Sequence, residues 1–134
     1  MIASGKKAEK IATPALLSTL WIVVMINMLK ADILSLYIPG ALDELANFVG
    51  DTPIPQVMLG SAVIMEVAVV MIVLARVLSY RVNRWTNIIV ALLMIVFIVG
   101  GGSTYPHYIF IAAVEVVCLL LIIGIAWRWP HPAA

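Results

Sequence analysis

Charged residues are scarce in this sequence. Asp, Glu, Lys and Arg together make up 11% of the 134 residues, whereas soluble globular domains carry about 25%. Hydrophobic residues make up 64% of the chain, and the mean hydropathy is +1.14. This composition excludes an ordinary soluble domain and indicates a membrane protein. Because no basic patch is interleaved with aromatic residues, nucleic acid is not an expected partner.

Residue patterns that support catalysis or metal binding are also missing. The sequence has no zinc-type Cys/His spacing, phosphate-binding glycine loop or Ser-His-Asp combination. An enzyme, a metal site and a bound cofactor are therefore not expected. The single cysteine, Cys118, excludes an intrachain disulfide and is predicted to be a small apolar packing residue.

Four apolar runs fill most of the chain, at residues 15–37, 56–74, 85–102 and 108–127. Each run is close to the length of about 20 helical residues that crosses a hydrocarbon core of about 30 Å. Backbone polar groups in lipid must be bonded within the segment, and the runs lack the alternation of barrel strands, so helices are predicted. The sequence thus predicts one all-α transmembrane domain over residues 1–134, an up-down-up-down four-helix bundle.

Basic residues flank these runs on one side only. They precede the first run, lie between the second and third, and follow the fourth: Lys6, Lys7, Lys10, Arg76, Arg81, Arg84 and Arg128. The two opposite loops contain neither Lys nor Arg. The positive-inside rule therefore predicts that both termini are cytoplasmic. Arg81, Arg84 and Trp85 are predicted to anchor the central cytoplasmic turn at the membrane interface.

The first outer loop contains an amphipathic segment. Between Pro39 and Pro53, apolar residues recur at helical spacing over residues 41–49. The pattern predicts a short interfacial helix, with Leu42, Leu45 and Val49 facing lipid or the bundle. An ordered cap over the mouth of the bundle is the alternative.

Five polar residues within the apolar runs are the candidate functional groups: Asn27, Lys30, Asp32, Glu66 and Glu115. Both glutamates fall near the centres of their runs and are expected to point into the bundle, because unpaired ionisable groups are costly in lipid. Desolvation and like charge favour the neutral carboxyl, so one or both should be neutral near pH 7 and hydrogen-bonded to each other, to Asn27 or to backbone. Lys30 is expected to pair with a glutamate of another run or to extend to the headgroups.

These intramembrane groups have four possible roles. They can act as interhelical polar contacts that fix helix register. They can form a proton or cation pathway. They can also line a pocket for a lipid, quinone or small hydrophobe, or lie at an interface with another membrane subunit.

Three residues are predicted to lie at the outer mouth: Tyr105, His107 and Tyr108. His107 could relay protons or serve as an axial ligand for haem or a pigment. Because no second ligand stands at a usable spacing, an interfacial hydrogen-bonding histidine is the favoured interpretation.

Three stretches resemble a family of small bacterial four-span membrane proteins known only as a domain of unknown function. They are residues 17–40 (LSTLWIVVMINMLKADILSLYIPG), 78–89 (LSYRVNRWTNII) and 100–117 (GGGSTYPHYIFIAAVEVV). The fold is similar, more distantly, to that of DoxX-like four-helix proteins. The resemblance implies a multi-pass protein of the bacterial inner membrane. Its motif residues here are Asn27, Ala31-Asp32, Asn83-Arg84-Trp85, Pro106-His107 and Glu115.

The favoured functional hypothesis is a non-catalytic structural or accessory subunit of a homo-oligomer or larger membrane complex, because a chain this short offers little interior for a pore. The first alternative is a small proton- or cation-coupled transporter or channel that uses Glu66 and Glu115. The second, by analogy with DoxX-like proteins, is a redox accessory protein that binds quinone, haem or bacteriochlorophyll. The expected partners are the lipid bilayer and further copies or other membrane subunits.

Overall fold

The computed structural model describes residues 11–101 and 103–131, and within these ranges it contains five helices and no strand. The helices are α1 (Thr13–Ser35), α2 (Ala41–Val49), α3 (Ile54–Val77), α4 (Tyr80–Gly100) and α5 (Pro106–Trp127). All except α2 are long and apolar enough to cross a membrane, which indicates a membrane protein. The predicted all-α fold is confirmed. Three residues of the topology argument lie outside the described ranges: Lys6, Lys7 and Lys10.

Prolines define where three of the long helices begin. α1, α3 and α5 each carry a proline in the first turn, at Pro14, Pro55 and Pro106. At this position the missing N–H has no intrahelical acceptor to lose, and the fixed φ of proline suits the helix. The sequence therefore sets the start of each of these helices closely.

The short helix α2 lies between two glycines in left-handed backbone conformation, Gly40 with φ +80° and Gly50 with φ +57°. Residues with a Cβ are strained at such angles, so glycine is needed where the chain turns into and out of α2. Asp43 and Glu44 lie in its first turn, where the helix dipole favours negative charge. The predicted helix over residues 41–49 is confirmed.

α4 begins at Tyr80, five residues before the predicted start of the third run. The prediction followed hydropathy, which is interrupted here by arginines and asparagines. The helix extends through them because Asn83 is completely buried and its Nδ2 donates to the carbonyl oxygen of Ala75 at 2.7 Å. A polar residue thus belongs to the packed face of α4.

α1 packs extensively against α3 and α5, and α5 packs extensively against α4, whereas α3 and α4 make few contacts with each other. The bundle is therefore closed on three sides and loose along the α3–α4 seam. Its core is filled by large apolar side chains that are fully or almost fully buried: Leu17, Trp21, Val24, Met71, Leu119 and Ile122. Below, the end of the bundle that carries α2 is called the α2 end, and the opposite end, with the α3–α4 turn, the Arg84 end.

Candidate functional site

A cavity of about 300 Å³ lies among the four long helices at the α2 end. This volume is at the lower end of the range of about 300 to 1,000 Å³ that small-molecule pockets occupy. Four of the lining side chains carry polar groups: Asp32, Ser61, Tyr108 and Glu115. Apolar and aromatic side chains form most of the remaining wall, among them Met28, Phe48, Met65 and Phe97.

Glu115 is the buried acidic group of this cavity. It lies on the face of α5 that also carries the core residues Cys118, Leu119 and Ile122, and only 4% of its surface is exposed. Its Oε1 atom is buried and has no hydrogen-bond donor among the described residues. A buried polar atom without a protein partner destabilises the fold unless a proton, water or ligand satisfies it. Glu115 is thus placed to receive a donor or a cation from the cavity.

Asp32 supplies a second carboxyl at the exposed rim of the same cavity. Asp32 and Glu115 thus line the same cavity from α1 and α5. No Lys, Arg or His is among the lining residues, and Lys30 lies on a different face of α1. The cavity therefore presents two carboxyls and no compensating positive side chain.

The short helix α2 lies at the mouth of the cavity. Leu45 and Phe48 line it from α2, which agrees with the predicted alternative of a cap over the bundle mouth. The Tyr105 hydroxyl donates to Glu44 Oε1 at 2.9 Å and so joins α2 to the segment before α5. This hydrogen bond raises the pKa of Tyr105 above its ordinary value, because ionisation would remove the proton it donates and place two negative charges side by side.

His107 lies beside the cavity rather than in it. Its Nε2 is 3.2 Å from the Ser35 hydroxyl, which in turn donates to the Ala31 carbonyl oxygen at 2.8 Å. Because the serine has a single proton, this arrangement makes His107 Nε2 the donor. This is the hydrogen-bonding role that the sequence favours, and His107 ties the start of α5 to the end of α1.

Glu66 does not point into the bundle, and this part of the sequence prediction is wrong. Its side chain is exposed on α3 and lines a separate groove with Thr86 of α4. The expected hydrogen bond between Glu66 and Glu115 is absent among the described residues. The cause is that α3 is apolar on every side, so its sequence pattern does not define which face is buried.

The two remaining candidates, Asn27 and Lys30, form no hydrogen bond or ion pair with either glutamate among the described residues. Asn27 is buried, but its Nδ2 donates to the Val23 carbonyl oxygen of its own helix at 2.8 Å, and not to a glutamate. Lys30 is exposed and has no ion pair with a glutamate in the described part of the chain. Of the five predicted residues, the structure brings together only Asp32 and Glu115, with Tyr108 from the predicted outer mouth.

The Arg84 end is closed by a buried polar network. Trp21 Nε1 donates to Asn87 Oδ1 at 2.7 Å, and Asn87 Nδ2 donates to Asn83 Oδ1 at 2.6 Å. Ser18 donates to the Ile72 carbonyl oxygen at 2.8 Å. The network links α1, α3 and α4 and so holds these three helices together at this end.

Sequence reasoning did not identify Ser18, Trp21 or Asn87 as members of this network. The spacing of Asn83 and Asn87 could have indicated the network, because residues four apart lie on the same face of a helix. That signal was missed because the third run was started at Trp85.

The three predicted anchors differ in their contacts. The Arg84 guanidinium donates to the carbonyl oxygens of Ala126 and Trp127, both at 3.0 Å, and so caps the end of α5. It also lies 5.5 Å from the ring centre of Trp85 and 5.4 Å from that of Trp127. Arg81 is exposed and makes no such contact with the described residues. Arg84 therefore fixes α4 to α5, and Trp85 completes the cluster.

The family model of DUF6326, a family of unknown function, matches residues 8–133, and the chain belongs to that family. No curated protein and no solved structure matches the chain.

Proposed function

We propose that this member of DUF6326 is a non-catalytic membrane protein that binds a small, partly apolar organic cation in the cavity at the α2 end. Glu115 and Asp32 would act as counter-charges. The observation that carries the proposal is the buried Glu115 Oε1, which has no hydrogen-bond donor among the described residues and lies in a cavity with a second carboxyl and no basic residue among its described lining. An uncompensated pair of carboxyls favours a positively charged occupant.

The wall of the cavity supports an organic rather than a metal cation. Three aromatic side chains line it, at Phe48, Phe97 and Tyr108. Aromatic faces attract ammonium groups. A metal ion prefers several oxygen ligands, and no cluster of three or more His, Cys, Asp or Glu suited to a metal occurs among the described residues.

Binding from one side is better supported than conduction. The two glutamates on which the transport hypothesis relied line different spaces, Glu115 the cavity and Glu66 the groove. The packed network of Trp21, Asn83 and Asn87 lies between the cavity and the Arg84 end. A transporter would have to open this network, whereas a receptor or accessory subunit that senses a ligand would not.

The ligand prediction can be tested with benzyltrimethylammonium, whose charge does not depend on pH, and its neutral analogue neopentylbenzene. Titration calorimetry of the purified protein should show binding of the cation at least about tenfold tighter than that of the neutral analogue, because the attraction between a cation and a partly desolvated carboxylate is worth about 1.4 kcal/mol or more. Glu115→Gln should remove most of this difference. Glu66→Gln, which changes a glutamate outside the cavity, is the matched control and should bind normally. Equal affinity for the two ligands, or unchanged binding by Glu115→Gln, would exclude the proposal.

The proposal includes the location and orientation expected from the sequence: the bacterial inner membrane, with both termini cytoplasmic and the cavity open to the outside. The orientation is supported by the basic residues: all Lys and Arg of the described loops and helix ends lie at the Arg84 end, and basic residues favour the cytoplasmic side. In a Cys118→Ser background, a membrane-impermeant thiol reagent added to intact cells should label Asp51→Cys and Ser103→Cys but not Ser79→Cys. Labelling of Ser79→Cys alone would show the opposite orientation.

An accessory role in a larger complex is the second candidate function. It is favoured by one observation: Glu66 is exposed in the middle of a lipid-facing helix and has no polar partner in the part of the chain that the structure describes.

A further inference from the structure

α3 is the least covered of the long helices. Only 11% of its apolar stretch is buried within the chain, against 28% to 39% in the other three. On the α3–α4 seam, where the two helices make few contacts, a groove of about 320 Å³ runs along the outside of the bundle. It is lined mainly by valines, with Glu66 and Thr86 as its polar members.

The two polar groups of this groove have no partner among the described residues. Glu66 makes no hydrogen bond or ion pair with any described residue, and neither does the Thr86 hydroxyl. Glu66 lies close to the middle of α3, the helix Ile54–Val77, and so at the depth where a carboxyl is most costly in lipid. Ionisable residues at this depth almost always face a bundle interior or a water-filled cavity. The groove of a single copy therefore leaves the Glu66 carboxyl exposed to lipid without a hydrogen-bond partner among the described residues.

A second copy of the chain can supply a hydrogen-bonding partner for Glu66 at the same depth in the membrane. A carboxylic acid carries both a donor and an acceptor, so two such groups can hydrogen-bond reciprocally. Two copies that share one orientation in the membrane and are related by a two-fold axis along its normal place their Glu66 residues at the same depth. Ala62, one turn before Glu66 on the same exposed face, allows the two α3 helices to approach closely.

Lys30 is a poorer partner for Glu66. It is exposed, but it lies six residues from the centre of α1, which is about 9 Å along the helix axis. A two-fold dimer with reciprocal Lys30–Glu66 contacts would need both residues on one surface. Lys30 lies on α1, whereas Glu66 lies in the groove between α3 and α4.

We propose that a second copy of this chain covers the α3–α4 groove in a two-fold dimer whose Glu66 side chains hydrogen-bond to each other across the axis. The proposal does not depend on ligand binding in the cavity, because the cavity lies at the α2 end and the groove lies on the outside of α3 and α4. It assigns to Glu66 a role in assembly and leaves Glu115 as the ligand-binding carboxyl.

Energy transfer between donor- and acceptor-labelled chains in phosphatidylethanolamine and phosphatidylglycerol vesicles tests the dimer. Fluorophores are attached at the C-terminus, and transfer is measured as the ratio of protein to lipid is varied. Glu66→Leu should lower the association constant about tenfold or more, because the hydrogen bonds across the axis are lost. Glu66→Gln should stay within about threefold of the original chain, because an amide also has a donor and an acceptor. Lys30→Leu, which removes a charge from another lipid-facing surface, is the matched control and should change nothing.

Cysteine cross-linking locates the interface independently. In a Cys118→Ser background, Val63→Cys in the groove should form a disulfide-linked dimer on mild oxidation, whereas Ile26→Cys on the exposed face of α1 should not. Both positions are more than half exposed in a single copy, at 58% and 57%. A chain that stays monomeric at every protein-to-lipid ratio, association unchanged by Glu66→Leu, or cross-linking at Ile26→Cys alone would overturn the proposal. Leucine favours membrane insertion, so failure of Glu66→Leu to insert is not expected.

Discussion

Replacing Asn87 with leucine is expected to lower the free energy of unfolding by about 2 kcal/mol. Asn87 is fully buried and accepts the Trp21 Nε1 hydrogen bond at 2.7 Å. Leucine shares the branching of asparagine at Cγ, but its methyl groups are larger than the amide atoms, so crowding at this fully buried position adds to the polar loss. The polar loss is that the fully buried indole N–H would have no acceptor. Asn83 Oδ1 would also lose its donor, since Asn87 Nδ2 lies 2.6 Å from it.

The matched control for this prediction is Asn27→Leu. Asn27 is buried too, but its side chain donates only to the Val23 carbonyl oxygen of its own helix. That oxygen keeps its backbone hydrogen bond after the substitution, so the expected loss is about 0.6 kcal/mol or less. Reversible unfolding in mixed detergent and dodecyl sulfate micelles measures the loss of unfolding free energy for Asn87→Leu and for Asn27→Leu.

A double-mutant cycle isolates the Trp21–Asn87 pair. Trp21→Phe removes the indole N–H, so adding it to Asn87→Leu should cost about 1 kcal/mol less than the sum of the two single substitutions. Additive losses would mean that the hydrogen bond contributes little and that packing around Trp21 dominates. Equal losses for Asn87→Leu and Asn27→Leu would contradict the claim that the network between helices closes the Arg84 end.

The parts of the fold that depend on strong local signals could be predicted from the sequence. Apolar runs of bilayer length predicted the four long helices, and the helical spacing over residues 41–49 predicted α2 at Ala41–Val49. Glycine and proline mark the ends of these elements, and their backbone preferences act locally. Asp32 and Glu115 could also be singled out, because carboxyls are rare in such runs.

The faces of the helices could not be predicted in the same way. In a soluble helix the polar side identifies the surface, but in lipid both the core and the surface are apolar. α3 carries valine, leucine or methionine on every side, so nothing in its sequence distinguishes the exposed position of Glu66 from a buried one. The closeness of Asp32 to Glu115 depends on how α1 packs against α5, and it could not be read from either helix alone.

Glu115→Leu is expected to act in the opposite direction to Asn87→Leu, raising the free energy of unfolding by about 1 to 3 kcal/mol. Glu115 has no hydrogen-bond partner among the described residues, and its Oε1 is buried. Leucine of similar size removes this unsatisfied atom and the repulsion from Asp32, and it adds an apolar contact to the Cys118 and Leu119 face of α5. The same substitution should abolish binding of benzyltrimethylammonium, because the buried counter-charge is lost.

The combination of higher stability and lost binding distinguishes a ligand site from an interhelical polar contact. If Glu115 held helices together through a hydrogen bond, leucine would destabilise the bundle by about 0.6 to 2 kcal/mol, and Gln, which keeps an acceptor, would destabilise it less. If Glu115 is held unpaired for a cation, leucine should stabilise the empty protein, as expected where a binding site is maintained at a cost in stability. Unfolding measured with and without benzyltrimethylammonium gives both the stability of the empty protein and the stabilisation by the bound ligand. A leucine variant that is less stable than the original chain in the absence of ligand would assign Glu115 to helix packing.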